Sequence, residues 1–114
     1  MKICLARGDL EVIPFAVYID GVQEKTSMDE IYFTVKKHYY DESEVFQKRL
    51  SDGGIESDGE GAYVLSLNPE DTESLPFGTY DCDIEIVRDP DIKRTFNGTL
   101  EISREVTHKS NEGV

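Results

Sequence analysis

The feature that most constrains the fold is a two-residue period of apolar side chains. In the stretch TYDCDIEI, residues 79–86, apolar and acidic residues alternate after the first position. Such alternation places the two sets of side chains on opposite faces of a β-strand, whereas an amphipathic helix repeats its apolar residues every three to four positions. Six further segments are strand candidates: ICL, EVIPFAVYI, IYFTV, VFQKRL, AYVLSL and TFNGTLEIS.

About seven short strands separated by turn residues predict an all-β antiparallel sandwich. One domain over residues 1–107 and a polar, frayed tail over residues 108–114 are expected. Pro14 lacks an N–H group, so its segment is predicted to be an edge strand or to contain a bulge. Phe96 is expected on the same side as Leu100 and Ile102. The predicted core residues are Phe15, Val17, Phe33, Val35, Leu65, Leu67, Tyr80, Ile84, Ile86, Leu100 and Ile102.

Two places in the sequence carry signals for a single helical turn. Asn68 is a good N-cap, and Pro69 suits the first helical position. Ser27 and Glu30 have the spacing of a capping box. The fold class predicted by these patterns is therefore an all-β sandwich with one or two single-turn helices.

The charge balance restricts the classes of partner. The 114 residues include 24 Asp and Glu against 12 Lys and Arg, which gives a formal net charge of -12. This balance argues against nucleic acid, which needs a basic surface, and against anionic membranes. No apolar run is long enough to span a membrane, and MKICLARGD does not match a signal peptide, so synthesis in a cytoplasm is expected.

The residues that carry nucleophilic chemistry are few and far apart. Cys4 and Cys82 are expected to stay reduced, and Cys82 is interpreted as a small buried apolar residue. His38 is predicted on an outward face and His108 lies in the tail, so neither is placed beside the Cys82 thiol. We therefore assign no catalytic residue and expect a protein that is not an enzyme.

Two acidic groups raise the question of cation binding. The segment SDGGIESDGEG, residues 51–61, does not follow the EF-hand spacing and is expected to be a solvated loop. Its candidate oxygen ligands for Ca²⁺ are Asp52, Glu56, Asp58 and Glu60. The second group, the acidic stripe, consists of Asp81, Asp83 and Glu85 on one strand face. Whether either group binds a cation stays open at this point, and no metal or cofactor site is assigned.

The acidic stripe is expected to be offset within the sheet. We predict that the strand TYDCDIEI pairs with the segment IYFTVKKHYY, since both have the pattern of central strands. The outward residues of the second segment include Tyr32, Thr34, Lys36 and His38. Because like charges on one sheet face repel, Lys36, with His38 near it, is predicted to lie against the acidic stripe.

Two short motifs admit a binding interpretation beside a structural one. Arg7 to Asp9 reads RGD, which allows a cell-adhesion role, but a glycine turn is the favoured interpretation. Tyr39 and Tyr40 at a strand end allow a platform for sugar rings, but packing on the following loop is favoured.

The order of four segments resembles one protein family across Ile3 to Thr107. The family is that of the short Ig-like proteins encoded among tail genes of phages and prophages of Gram-positive bacteria, and it is similar to the N-terminal domain of phage baseplate upper proteins. Cys82 stands where the family frequently has an aromatic residue, which makes the core there smaller. The segments are RGDLEVIPFAV, IYFTVKK, YVLSLNPEDTESLPFGTYDCDIEI and TFNGTLEISREVT.

The resemblance implies an Ig-like sandwich and a non-enzymatic structural or assembly protein of a phage tail or baseplate. Its expected partners are other tail or baseplate proteins, a homo-oligomer is compatible with it, and neither nucleic acid nor a membrane is among the expected partners. The expected location is the virion tail, assembled in the host cytoplasm. A carbohydrate- or surface-binding Ig-like module is the alternative, and a small cytoplasmic adaptor is a weaker third.

Overall fold

Residues 1–104 are described by the computed structural model of the chain, so the predictions for His108 and the tail lie outside the described residues. This part contains ten strands and one short helix. Strands β1 to β5 are Lys2–Ala6, Glu11–Ala16, Tyr18–Ile19, Val22–Gln23 and Glu30–Lys36. Strands β6 to β10 are Phe46–Arg49, Ile55–Ser57, Ala62–Leu67, Gly78–Arg88 and Ile92–Ser103, and helix α1 is Pro69–Thr72.

Two sheets form the sandwich. The larger sheet has the strand order β1-β10-β9-β5-β6, and the smaller sheet has the order β2-β8-β7. All neighbours are antiparallel except β1 and β10, which run parallel from Lys2 opposite Thr99 to Ala6 opposite Ser103. Strands β3 and β4 form a separate hairpin. This arrangement confirms the predicted all-β sandwich with one helical turn.

The core between the sheets comes mainly from the alternating positions. Most of the predicted core residues are buried, whereas Phe15 and Ile84 are only partly buried. Phe96 lies on the same side of β10 as Leu100 and Ile102, as predicted, but it is 44% exposed. Pro14 lies in β2 at the edge of the smaller sheet, which confirms the expected edge strand.

Helix α1 and the start of β9 carry the chain from one sheet to the other. The helix begins after Asn68, as predicted, and the Asn68 N–H donates a 2.7 Å hydrogen bond to Asp71 Oδ2. The Tyr80 hydroxyl donates to the carbonyl of Pro76 at 2.7 Å. This hydrogen bond ties the buried Tyr80 at the start of β9 to the corner that precedes the strand.

The helical turn predicted at Ser27 is absent from the structure, and the chain there has no regular secondary structure. Met28 is buried, and its N–H donates to the Tyr63 hydroxyl at 3.2 Å. The Asp29 N–H donates to the Val87 carbonyl at 2.8 Å, which joins this segment to β9. Long-range hydrogen bonds and burial therefore outweigh the local capping signal.

The predicted loop over residues 51–61 contains strand β7, so that prediction is partly wrong. Ile55 is 1% exposed and lies opposite Leu65 of β8. One apolar residue in a polar segment gives no periodic signal. Ile55 is nevertheless in the core, because β7 pairs with β8 as the third strand of the smaller sheet, which packs on the larger one.

The hairpin between β7 and β8 gives a test of backbone strain. Gly59 and Gly61 both have a positive φ, which disfavours alanine. A Cβ atom at Gly61 would lie 2.7 Å from the Glu24 carbonyl oxygen, whereas a Cβ at Gly59 would meet nothing within 4 Å. We expect Gly59→Ala to lower the free energy of unfolding by about 1–2 kcal/mol and Gly61→Ala to lower it clearly further. Urea denaturation measures both, and equal losses would contradict the predicted clash.

Candidate functional site

The outer face of the larger sheet carries the acidic stripe on β9, which lies between strands β5 and β10. The predicted pairing of β9 with β5 is confirmed, with Lys36 opposite Asp81 and Thr34 opposite Asp83. On the other side, β10 places Asn97 opposite Asp83. Each carboxylate of the stripe is therefore flanked by polar or basic side chains.

Lys36 lies opposite Asp81 of the acidic stripe, as predicted, but its ammonium group does not form an ion pair with the stripe. The Lys36 ammonium donates to the Asp41 carbonyl at 2.7 Å, and Asp81 Oδ2 accepts from the Tyr39 N–H at 2.8 Å. His38 does not lie against the stripe, because the chain turns after β5 and its ring stacks on Tyr40 at 5.1 Å between ring centroids. The hydrogen bonds of the turn after β5 thus replace the expected cross-strand ion pair.

A cleft of about 300 Å³ opens in this face, and we call it the Asp83 cleft. Burial raises the pKa of the Asp83 carboxyl, the Glu85 charge raises it further, and Lys36 partly offsets both effects. Tyr39, which is 79% exposed, stands at the cleft. The cleft combines acidic, basic and neutral hydrogen-bonding side chains with one exposed aromatic ring. Its lining residues are Thr34, Lys36, Tyr39, Asp81, Cys82, Asp83, Asn97 and Gly98.

Two carboxylates of the acidic segment 51–61 hold turns. Asp52 Oδ1 accepts from the N–H groups of Arg49 and Gly54 at 3.1 and 2.8 Å. Asp58 Oδ1 accepts from the N–H groups of Glu60 and Ala62 at 2.7 and 3.1 Å. Within residues 1–104, no group of three or more His, Cys, Asp or Glu side chains is arranged to hold a metal ion.

The RGD segment forms a glycine turn that is tied to the helix. Gly8 has a φ of 82°, and its N–H donates to the hydroxyl of buried Thr72 at 2.9 Å. The Arg7 guanidinium lies 4.2 Å from the centroid of the Phe77 ring. These contacts give the motif a structural role, as the sequence interpretation favoured.

The two cysteines differ in environment. Cys4 is exposed and Cys82 is buried. Burial is the largest cause that raises the pKa of the Cys82 thiol to about 11, and the charges of Asp83 and Asp81 add to it. Since thiolates are the reactive form, Cys82 is protected from reaction at neutral pH.

The raised thiol pKa predicts a loss of stability at alkaline pH. Because the folded protein keeps the Cys82 proton where the unfolded chain has lost it, this contribution is complete below the ordinary pKa of 9.0 and is lost as pH rises through about 11. The loss is expected to be about 2–3 kcal/mol. Urea denaturation of the reduced protein at about pH 8 and pH 11 measures it, and Cys82→Ala should show a smaller loss. An equal loss in the variant would contradict the assignment.

One edge of the larger sheet is partly uncovered. Strand β1 pairs with β10 only from Thr99 onward. In the part of the chain that the structure describes, no strand pairs with the other side of residues 92–97, which we call the free β10 edge, and Met1 lies against Gly98. This edge carries exposed Lys93, Arg94 and Phe96. The sequence pattern missed this edge, because an alternating segment does not reveal how far a neighbouring strand extends.

No protein-family model matches the chain, and no curated protein matches its sequence. Among residues 1–104, no helix has the length and apolar character needed to cross a membrane.

Proposed function

We propose that this chain is a non-enzymatic structural or assembly protein of a phage or prophage tail or baseplate, and that it acts by contact with other proteins. The observation that carries the proposal is the free β10 edge with its partly exposed Phe96. An unpaired strand edge can add a strand from another protein, and natural proteins usually cover or block such an edge.

The resemblance of the sequence to Ig-like tail proteins supports the choice of the virion as the place of action. The proposed partners are other tail or baseplate proteins, and the proposed location is the tail, assembled in the host cytoplasm. Neither nucleic acid nor a membrane surface is a proposed partner, since the chain carries a net charge of -12.

Gene inactivation in the prophage tests this proposal. Induction of the mutant prophage should give particles with missing or defective tails in electron micrographs, and a plasmid copy of the gene should restore them. The protein should also be detected by mass spectrometry in gradient-purified wild-type particles. Normal, infectious particles from the mutant would overturn the proposal.

A carbohydrate- or surface-binding module is the second candidate, and the Asp83 cleft beside exposed Tyr39 favours it. A neutral sugar ring has an apolar face that fits an aromatic ring and hydroxyls that fit carboxylate and amide groups. Titration calorimetry with neutral and amino sugars tests this candidate. Tyr39→Ala should abolish the binding heat and Tyr18→Ala, which alters another exposed tyrosine, should not. Absence of heat with the wild-type protein rejects the candidate.

A further inference from the structure

We propose that the outer face of the smaller sheet binds a segment of another protein in which an apolar residue is flanked by Lys or Arg. The surface is a groove of about 530 Å³, which we call the Val64 groove. The inference rests on the proposed function by protein contact, and it adds a second contact surface and the chemistry of its partner. The lining of the groove includes Pro14, Ala16, Glu56, Asp58, Ala62 and Val64.

The strand register shows that the outer face of the smaller sheet is apolar. In β8 the buried residues alternate with Ala62, Val64 and Ser66, which therefore point outward. Pro14 of β2 lies opposite Val64 and shares its outward face, and Val12 does so two residues earlier. Val12 is 52% exposed, and Pro14 is exposed as well. The solvent face of an antiparallel sheet is usually polar, so a contiguous apolar patch on it indicates an interaction surface.

Two small residues make a hollow at one end of this face. Ala16 lies opposite Ala62 where β2 and β8 pair last. Their methyl groups rise less far from the sheet than the larger side chains of Pro14 and Val64, which lie opposite each other two residues away. The hollow therefore has room for one aliphatic or aromatic side chain of a partner, whose burial would remove apolar surface from water.

Carboxylates border the hollow on the side of β7. Glu56 lies opposite Val64, and its diagonal neighbour on the same face is Ala62, at a separation of about 7–8 Å. Asp58 lines the same groove. A Lys or Arg next to the inserted apolar residue would approach these carboxylates, because its side chain is long and flexible.

The smaller sheet supplies no cation to this border. Residues 11–16 and 55–67, which comprise its three strands and the turn between β7 and β8, contain no Lys, Arg or His. By contrast, the strands of the larger sheet contain seven Lys and Arg. The complementary charge is therefore left to the partner, where it would favour basic segments over acidic ones.

A second copy of the chain is a poorer occupant of the Val64 groove. If two copies packed this face together, Glu56 and Asp58 would lose water against a surface without basic residues, which is unfavourable. Pairing of a partner strand with the edge of β2 is also disfavoured, since Pro14 has no N–H to donate. The occupant is therefore a different protein that docks on the face of the sheet.

NMR titration with synthetic peptides tests the site on the wild-type protein. The probe is the peptide KKLVLKK with blocked ends, and we expect its largest amide shifts at Ala16, Ala62 and Val64. The acidic stripe is the internal control, because a peptide held by charge alone would shift that stripe most. Largest shifts at the stripe, or no shifts at about 1 mM peptide, would overturn the proposal.

A charge-reversed peptide tests the role of the carboxylates. The peptide EELVLEE has the same apolar centre and should bind at least about tenfold more weakly than KKLVLKK. Glu56→Gln should weaken KKLVLKK, and more at low salt than at high salt. Equal affinities of the two peptides would overturn the basic character of the partner.

Two leucine variants test the hollow. Ala62→Leu fills it and should weaken binding of KKLVLKK at least about tenfold. Ser66→Leu is the matched control, because it makes a similar change on the same face of β8 outside the groove lining. It should leave the affinity within about twofold of the wild type. Both positions are partly exposed, so both variants should keep the far-UV spectrum of the wild type. Equal affinities of the two variants would overturn the proposal.

Failure of the groove and failure of the tail function give different results. Shifts at the Val64 groove in a protein that is absent from purified particles would leave the groove standing and reject the tail function. Defective tails after gene inactivation, together with no shifts at the groove, would support the tail function and overturn the groove.

Discussion

Replacing Ile86 by alanine is expected to lower the free energy of unfolding by about 2–5 kcal/mol. Ile86 is 1% exposed and lies opposite Ile31, which is fully buried, on the neighbouring strand β5. The substitution removes buried methyl and methylene groups and leaves a cavity that the packed sheets cannot fill. Urea denaturation at equilibrium measures the loss.

Ile84→Ala is the matched control, since Ile84 lies two residues earlier on the same face of β9. Ile84 is only partly buried, and its neighbour on β10 is the exposed Phe96. Its replacement should cost clearly less than that of Ile86. An equal cost for both isoleucines would mean that the inner face near Phe96 is covered in solution, as it would be by a partner.

Breaking the ion pair between Lys48 and Asp71 is expected to cost about 2–4 kcal/mol. The Lys48 Nζ lies 2.6 Å from Asp71 Oδ2, and their side chains are only 13% and 14% exposed. The same oxygen accepts the hydrogen bond from the Asn68 N–H that begins helix α1. Removing one member of a largely desolvated pair leaves the other charge without compensation, which costs more than the loss of an exposed pair.

A double-mutant cycle of Lys48→Met and Asp71→Asn measures the coupling, because each change keeps most of the side-chain volume. The exposed pair of Lys2 and Glu101, 4.0 Å apart with side chains 68% and 43% exposed, is the control. Lys2→Met and Glu101→Gln should show a coupling below about 1 kcal/mol. A coupling of the same small size for Lys48 and Asp71 would contradict the prediction.

The sequence by itself determined most of the strands and which of their faces point inward. Tyr80, Cys82 and Ile86 are buried as the alternation predicted, and the pairing of β9 with β5 followed from the matching patterns. Helix α1 was also predictable, because Asn68 and Pro69 act on the backbone groups of their own turn. These features depend on residues close in sequence or on a strict two-residue period, so one chain is enough to infer them.

Only the tertiary structure decided the features of the candidate site. The irregular chain at Ser27, the strand at Ile55 and the exposure of Phe96 all depend on what lies opposite them. The Asp83 cleft likewise needs three strands and the turn at Tyr39 to meet. Alternation assigns a side chain to a face, but it does not state how far the facing sheet or the neighbouring strand extends. The parallel register of β1 and β10, with Lys2 opposite Thr99, is another example, because no local pattern in either strand fixes it.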